Sequence, residues 1–361
     1  MRIAINTGGG DAPGLNAVIR AVTLAARRRD WQVFGIKRGY GGLLGDEPGE
    51  GVVALDESSV RGITHLGGTI LGTTNRGNPF EWPVKTPHGP GAVDRSDELV
   101  AAFHAHGFDA LVAVGGDGSL RIAQGLMAKG IPVVGVPKTI DNDLGATEVT
   151  FGFHTAVQTV TEALDKLHST AESHERVMVV EVMGRTAGWI ALQAGLAGTA
   201  DVILIPEIPY DVARVCAKIE QRYTRGRRFA IVVAAEGARP AGGDALVVQP
   251  GTAGYAPRFG GVAERLCHEL FEHSGHESRS LVLGHLQRGG SPSAFDRYIA
   301  LRFGAAAVGL IEQRRFGDMV ALHNDDITAV PIADAIAHIR CVPTDGDAVR
   351  TARELGVSFG D

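Results

Sequence analysis

Residues 109–143 read DALVAVGGDGSLRIAQGLMAKGIPVVGVPKTIDND. Two runs in this stretch, DALVAVG (109–115) and IPVVGVP (131–137), are apolar almost throughout rather than in alternation. That pattern suits strands covered on both faces, and hence a parallel sheet. A parallel pair needs a long crossover, and the amphipathic stretch 119–129 supplies it as a helix. The rhythm recurs outward in both directions. Strands are expected at 2–6, 32–37, 176–182, 201–206, 228–236 and 279–285, and helices at about 14–29, 152–171, 186–197, 211–225, 260–274 and 293–313. The expected fold is α/β, with two doubly wound lobes built on mainly parallel sheets. We place one lobe at 1–145 plus about 285–315 and the second at 146–284, and find no motif in 316–361. The Pro/Gly-rich stretches 72–97 and 238–260 read as surface loops.

Bulk composition narrows the class. A net charge of −6 argues against a nucleic-acid or anionic-membrane partner, and no apolar stretch approaches the length that spans a bilayer. Cys216, Cys267 and Cys341 form no CxxC pair, which suits a reducing cytoplasm and offers no metal or disulfide framework. The 49 glycines are about twice the usual share, and they cluster after the apolar runs, where backbone turns sharply or approaches a ligand.

Ligands of open parallel sheets bind beyond the carboxyl ends of the strands. Those ends read NTGGGDAPG (6–14), GGDGS (115–119), PKTIDND (137–143), MGR (183–185), EG (236–237) and GHLQRGG (284–290). The first two have the makings of phosphate cradles, because glycine lets backbone N–H groups approach an anion ahead of a helix N-terminus. Asp117 within the second is placed to hold Mg²⁺. Either loop alone reads first as an ordinary tight turn, and neither is a Walker loop. PKTIDND joins a cation, Lys138, to the carboxylates Asp141 and Asp143. Phosphoryl transfer to an alcohol needs such a carboxylate as base, a metal on the phosphates and cations over the developing charge. The same segment also reads as a solvated turn whose aspartates cap the next helix. His285 and Arg288 are candidate donors to a phosphomonoester.

Together the motifs resemble the 6-phosphofructokinase family. The likeness is an ordered series over roughly 1–315: GGDAPGLN (9–16), GGTILG (67–72), GGDGS (115–119), TIDND (139–143), SHERVMVVEVMGR (173–185) and GHLQRGGSP (284–292). The resemblance implies phosphorylation of fructose 6-phosphate at its 1-hydroxyl, a donor-binding first lobe and a sugar-phosphate-binding second lobe. It implies that Asp141 is the base, and that Thr139 and Asp143 flank the transferred phosphoryl group and metal. Met183, Gly184 and Arg185 would contact the sugar and the migrating group, Glu236 a sugar hydroxyl, and His285 and Arg288 the 6-phosphate. Gly10, Gly116, Asp117, Gly118 and Ser119 would line the donor phosphates and Mg²⁺, with Arg76 as a donor-site arginine. Arg176 and Arg279 would reach a neighbouring subunit's site, which implies a homodimer or homotetramer.

Two residues bear on the donor. Gly118 is the choice that resembles ATP-dependent members, and Lys138 the one that resembles pyrophosphate-dependent members. Gly118 acts by permission and Lys138 by attraction to either donor, whereas the excluding element, an aspartate at 118, is absent. The expected donor is therefore ATP, with pyrophosphate as the alternative.

Overall fold

The apolar runs fold as strands because β-branched residues fill a pleated surface that helices cover from both sides. The computed structural model describes residues 1–45, 50–87, 89–251 and 258–361. The chain begins β1 (Arg2–Thr7), α1 (Leu15–Arg27), β2 (Gln32–Ile36), the short α2 (Gly41–Leu44) and β3 (Val52–Leu55). A hairpin of β4 (Trp82–Thr86) and β5 (Gly89–Val93) precedes α3 (Ser96–Ala105), β6 (Ala110–Gly115), α4 (Asp117–Ala128) and β7 (Val133–Pro137). Next come α5 (Phe153–His174), β8 (Val177–Val182), α6 (Trp189–Ala197), β9 (Val202–Leu204), α7 (Val212–Thr224) and β10 (Ala230–Ala235). The short β11 (Val247–Gln249) and β12 (Arg258–Phe259), α8 (Val262–Ser274) and β13 (Ser278–Val282) follow. Last are α9 (Ala294–Glu312), β14 (Asp318–His323), β15 (Asp326–Pro331), α10 (Ile332–Ala335) and α11 (Asp347–Glu354).

Seven strands form the larger sheet in the order β15-β14-β7-β6-β1-β2-β3, parallel except for β15 and β3 at its edges. The second sheet runs β13-β8-β10-β9 and is parallel throughout. Val112, Val114, Val134 and Val136 are essentially inaccessible. Each such burial stabilises the fold by about 1.5–3 kcal/mol. Among the described residues no helix is long and apolar enough to cross a membrane.

Three loop or blank regions of the sequence reading change. The stretch 72–97 contains the β4–β5 hairpin, with Pro83 opposite Ala92, and leads into α3. Proline is tolerated there because this two-stranded ribbon is all edge. Asp94, just ahead of α3, accepts from the Ser96 N–H (2.8 Å) and hydroxyl (2.6 Å), a local hydrogen-bonded turn hidden in a polar run. The stretch 238–260 holds β11 and β12, while 252–257 lie outside the described residues. The motif-free segment after 316 adds the β14–β15 hairpin to the larger sheet, Met319 pairing with Gly135, and its last residues return to the smaller sheet, where Ser358 bridges Val202.

Candidate active site

In the larger sheet β1 lies between β2 and β6, so the connections leave it in opposite directions. The crevice such a switch point opens lies beyond the carboxyl ends of the strands. A cavity of about 930 Å³ occupies that position. Its walls come from the turns after β1, β6 and β7 of the larger sheet and after β8 and β10 of the smaller one.

The turn after β7 carries the densest charge. Lys138 is 3% exposed and its Nζ donates to the Gly10 carbonyl (2.5 Å), which ties this turn to the one after β1. Burial, then the neighbouring Arg288, pushes the Lys138 ammonium down to about 8, while Asp141, Asp11 and Asp143 pull the other way. Thr139 Oγ1 accepts from the Asp141 N–H (3.1 Å). Asn142 sits in the left-handed region (φ 52°), and its side-chain oxygen accepts from the Thr150 N–H (3.0 Å). That conformation points Asp141 and Asp143 to the cavity, where both form part of the wall. Burial raises the Asp141 carboxyl, against the lowering influence of Arg288, Lys138 and Arg185. Its Oδ1 is buried and has no hydrogen-bond partner. Asp143 is pushed up to about 6 by burial and then by the Asp141 charge.

Of the residues expected to meet the phosphoryl donor, Gly10, Arg76, Gly116, Asp117, Gly118 and Ser119 all line the cavity. At Gly10 a Cβ would stand 2.8 Å from Arg288 Nη1, so the guanidinium would have to shift to admit one. At Gly118 a Cβ would meet nothing within 4 Å, so that position is open. Asp117 opens α4 and pairs with Arg121 one turn later (3.0 Å).

On the other side, Met183, Arg185 and Glu236 line the cavity. Gly184, at φ 131°, makes the sharp turn that separates Met183 from Arg185. Arg185 lies over the Phe259 ring (5.2 Å), and buried Gln287 accepts from the Met183 N–H (3.2 Å). Glu236 is pushed up to about 7, first by burial and then by the charges of Asp141 and Glu181. Arg288 reaches the wall and donates to the Asp11 carbonyl (3.1 Å). His285, in the same turn, is exposed and is not part of the wall.

Arg176 and Arg279 are not brought to this cavity either. They pair with Glu277 (3.1 and 2.5 Å) near the amino ends of β8 and β13, whereas the cavity lies at the carboxyl end of β8. Six residues of strand separate the two ends, on the order of 20 Å. The sequence reading missed Tyr40, Phe80, Ile122 and Ile339 in the wall. Tyr40 shortly follows the end of β2 and was within reach of the strand-end argument; Ile339 carried no local signal.

Asp117, Asp141 and Asp143 face one cavity, and the Asp117 and Asp141 charges both raise Asp143. A cation among them would relieve that repulsion. Among the described residues no three such groups converge to hold a metal alone. Mg²⁺ commonly takes one or two carboxylates and completes its shell with phosphates and water, so Asp117 fits as its protein ligand, with Asp143 beside it.

The comparisons with known proteins agree with one another. A sequence model of the family described as Phosphofructokinase matches residues 2–311. The chain is 49% identical over 364 residues to "ATP-dependent 6-phosphofructokinase 2" of Clostridium perfringens, covering 100% of this chain and 98% of that one. It is 47% identical over 363 residues to "Pyrophosphate--fructose 6-phosphate 1-phosphotransferase" of Streptomyces coelicolor, covering 100% of both. The solved structure of Pichia pastoris phosphofructokinase in the T-state superposes with a TM-score of 0.80 at 31% identity, over 98% of this chain and 36% of that longer one.

Proposed function

The chain belongs to the phosphofructokinase family, and on that premise we propose that it is the phosphotransferase that moves the terminal phosphoryl group of ATP to the 1-hydroxyl of fructose 6-phosphate. The observation that carries this reading is Asp141, whose buried Oδ1 lacks a partner at a cavity wall that Lys138, Arg185 and Arg288 also line. A carboxylate so placed is a base whose missing hydrogen bond is the one a substrate hydroxyl would make.

In this reading the sugar lies against Met183, Gly184, Arg185 and Glu236. Asp141 takes the proton of the 1-hydroxyl as that oxygen bonds to the γ-phosphorus. The bond from that phosphorus to the β–γ bridging oxygen breaks, and ADP leaves with the electron pair. Lys138 and Arg185 stabilise charge on the oxygens in transfer. Mg²⁺, when bound at Asp117 and the donor phosphates, supplies charge neutralisation on those phosphates. Thr139 orders the turn through the Asp141 N–H. His285 completes the 6-phosphate site with Arg288, and Arg176 and Arg279 serve a neighbouring subunit's site in a homo-oligomer. The enzyme works in the cytoplasm as a step of glycolysis.

ATP is favoured over pyrophosphate because the same cavity is also lined by Tyr40, Phe80, Ile122 and Ile339, apolar and aromatic groups that suit a nucleoside and that pyrophosphate has no use for. Lys138 keeps pyrophosphate open as the second reading, since a buried ammonium at the phosphoryl position serves either donor. The deciding experiment is fructose 1,6-bisphosphate formation with Mg²⁺ and each donor in parallel. Turnover with ATP and little with pyrophosphate is expected, and the reverse would transfer the assignment. Asp141→Asn should lower kcat by about 10³-fold or more with sugar binding retained, because a base acts in the transition state.

A further inference from the structure

The segment after α10 does more than close the fold. Ile339 bridges Leu144, and Arg340 follows with four contacts on both sides of the cavity. Its N–H donates to the Asp143 carbonyl (2.9 Å), and its Nη1 donates to the Asn142 carbonyl (3.2 Å). Its guanidinium lies over the Trp189 ring (4.3 Å), and its own carbonyl accepts from Trp189 Nε1 (2.8 Å). Two residues on, the Val342 N–H donates to Glu207 (2.7 Å), whose carboxylate also accepts from the Gly188 N–H (3.1 Å). One strap thus holds the carboxylate turn 139–143 with one hand and the turn 183–189 with the other.

We propose that Arg340 is a positioning residue that sets the distance between Asp141 and the sugar-bearing turn around Met183 and Arg185; this rests on the reading of Asp141 as the base. The physical need is plain. The base stands on a turn of the larger sheet, while Met183 and Arg185 stand on a turn of the smaller one. Proton transfer tolerates little slack between them, because reacting atoms must approach to about 3–3.5 Å and a slip of about 1 Å can cost about 10²-fold in rate. Asn142 marks the point that is braced: its backbone is left-handed, a conformation asparagine tolerates better than most side chains, and the Arg340 guanidinium bonds its carbonyl in that orientation. Arg340 is not part of the cavity wall, so it acts through Asn142, Asp143 and Trp189.

The test compares Arg340→Ala, Arg340→Met and Arg340→Lys with the wild-type chain in steady-state kinetics, thermal melting and amide hydrogen exchange. Arg340→Ala should lower kcat about 10- to 100-fold while each KM moves by less than about 3-fold. Arg340→Met keeps an unbranched stem over Trp189 without the donor and should lose as much as Ala, whereas Lys, which still reaches a carbonyl, should recover to within about 5-fold of wild type. Exchange should quicken in 139–144 and 183–189 and stay unchanged elsewhere. A Met variant with wild-type kcat, or an Ala variant with a lower Tm but full kcat and unaltered exchange in the two turns, would overturn the positioning role. Exchange is read without substrate, so it separates this failure from that of the functional reading, which a wild-type chain with no phosphotransfer at all would signal.

Discussion

Lys138 and Gly118 pull the donor assignment in opposite directions, and their surroundings weigh them unequally. Gly118 stands in open space, so a side chain there is tolerated by the fold and felt only by the donor. Gly118→Asp should therefore leave Tm unchanged while lowering kcat/KM for ATP about 10-fold or more, read by melting and kinetics side by side; the added carboxylate would face the donor phosphates next to Asp117. Lys138 is already low in pKa, at about 8, and Asp143 and Glu236 are raised to about 6 and 7. The profile of kcat/KM against pH should rise between about 6 and 7 as these carboxylates ionise and fall near 8 as Lys138 loses its proton. Lys138→Met should abolish the alkaline fall. For stability the raised carboxylates work the other way. The folded chain retains protons that the unfolded chain releases above about pH 4, so their cost grows from there and is complete above the folded values. Asp143→Asn should raise Tm at pH 8 and leave it unchanged at pH 4.

At the scale of elements, the two lobes meet through helix starts as well as through the cavity. Asp296, fully buried in the first turn of α9, accepts from the N–H groups of Gly152 (2.9 Å) and Thr155 (2.7 Å) and from the Thr155 hydroxyl (2.5 Å). It thereby satisfies two of the four orphan N–H donors that open α5. Burial raises its carboxyl, and the Thr155 hydroxyl and these N–H donors oppose that rise. Asp296→Ala would leave several buried donors without an acceptor and should cost about 3 kcal/mol or more in denaturant unfolding, against less than about 0.5 kcal/mol for an exposed control such as Asp347→Ala. α3 and the β4–β5 hairpin teach a related lesson. Both lie in or beside a polar, proline-rich run, where a local hydrogen-bonded turn and ribbon pairing decide the structure and apolar periodicity is weak.

For the whole molecule, the positions of Arg176 and Arg279 are the informative ones. Each is held by Glu277 at the end of the second sheet remote from the chain's own cavity. If they serve a neighbour, Arg279→Ala should raise KM for fructose 6-phosphate about 10-fold although the residue is not in the wall of its own chain's cavity. Mixing Asp141→Asn chains with Arg279→Ala chains should then restore activity above that of either alone, since some sites in a mixed oligomer escape both defects. Strictly additive activity in the mixture would show that the arginines act within their own subunit.

The alternation of the main parallel strands with their helices, the glycine turns at the strand ends and the acidic turn at 139–143 were legible because each is written in local periodicity and local spacing. The family likeness came from the same short blocks. Tertiary structure alone decided what those blocks meet. It brought Arg288 to the Asp11 carbonyl across 277 residues of chain, left His285 outside the wall, and laid 339–342 across two turns from a segment without a motif. It also made Lys138 a buried ammonium, because desolvation depends on everything packed around a side chain and on nothing beside it in sequence.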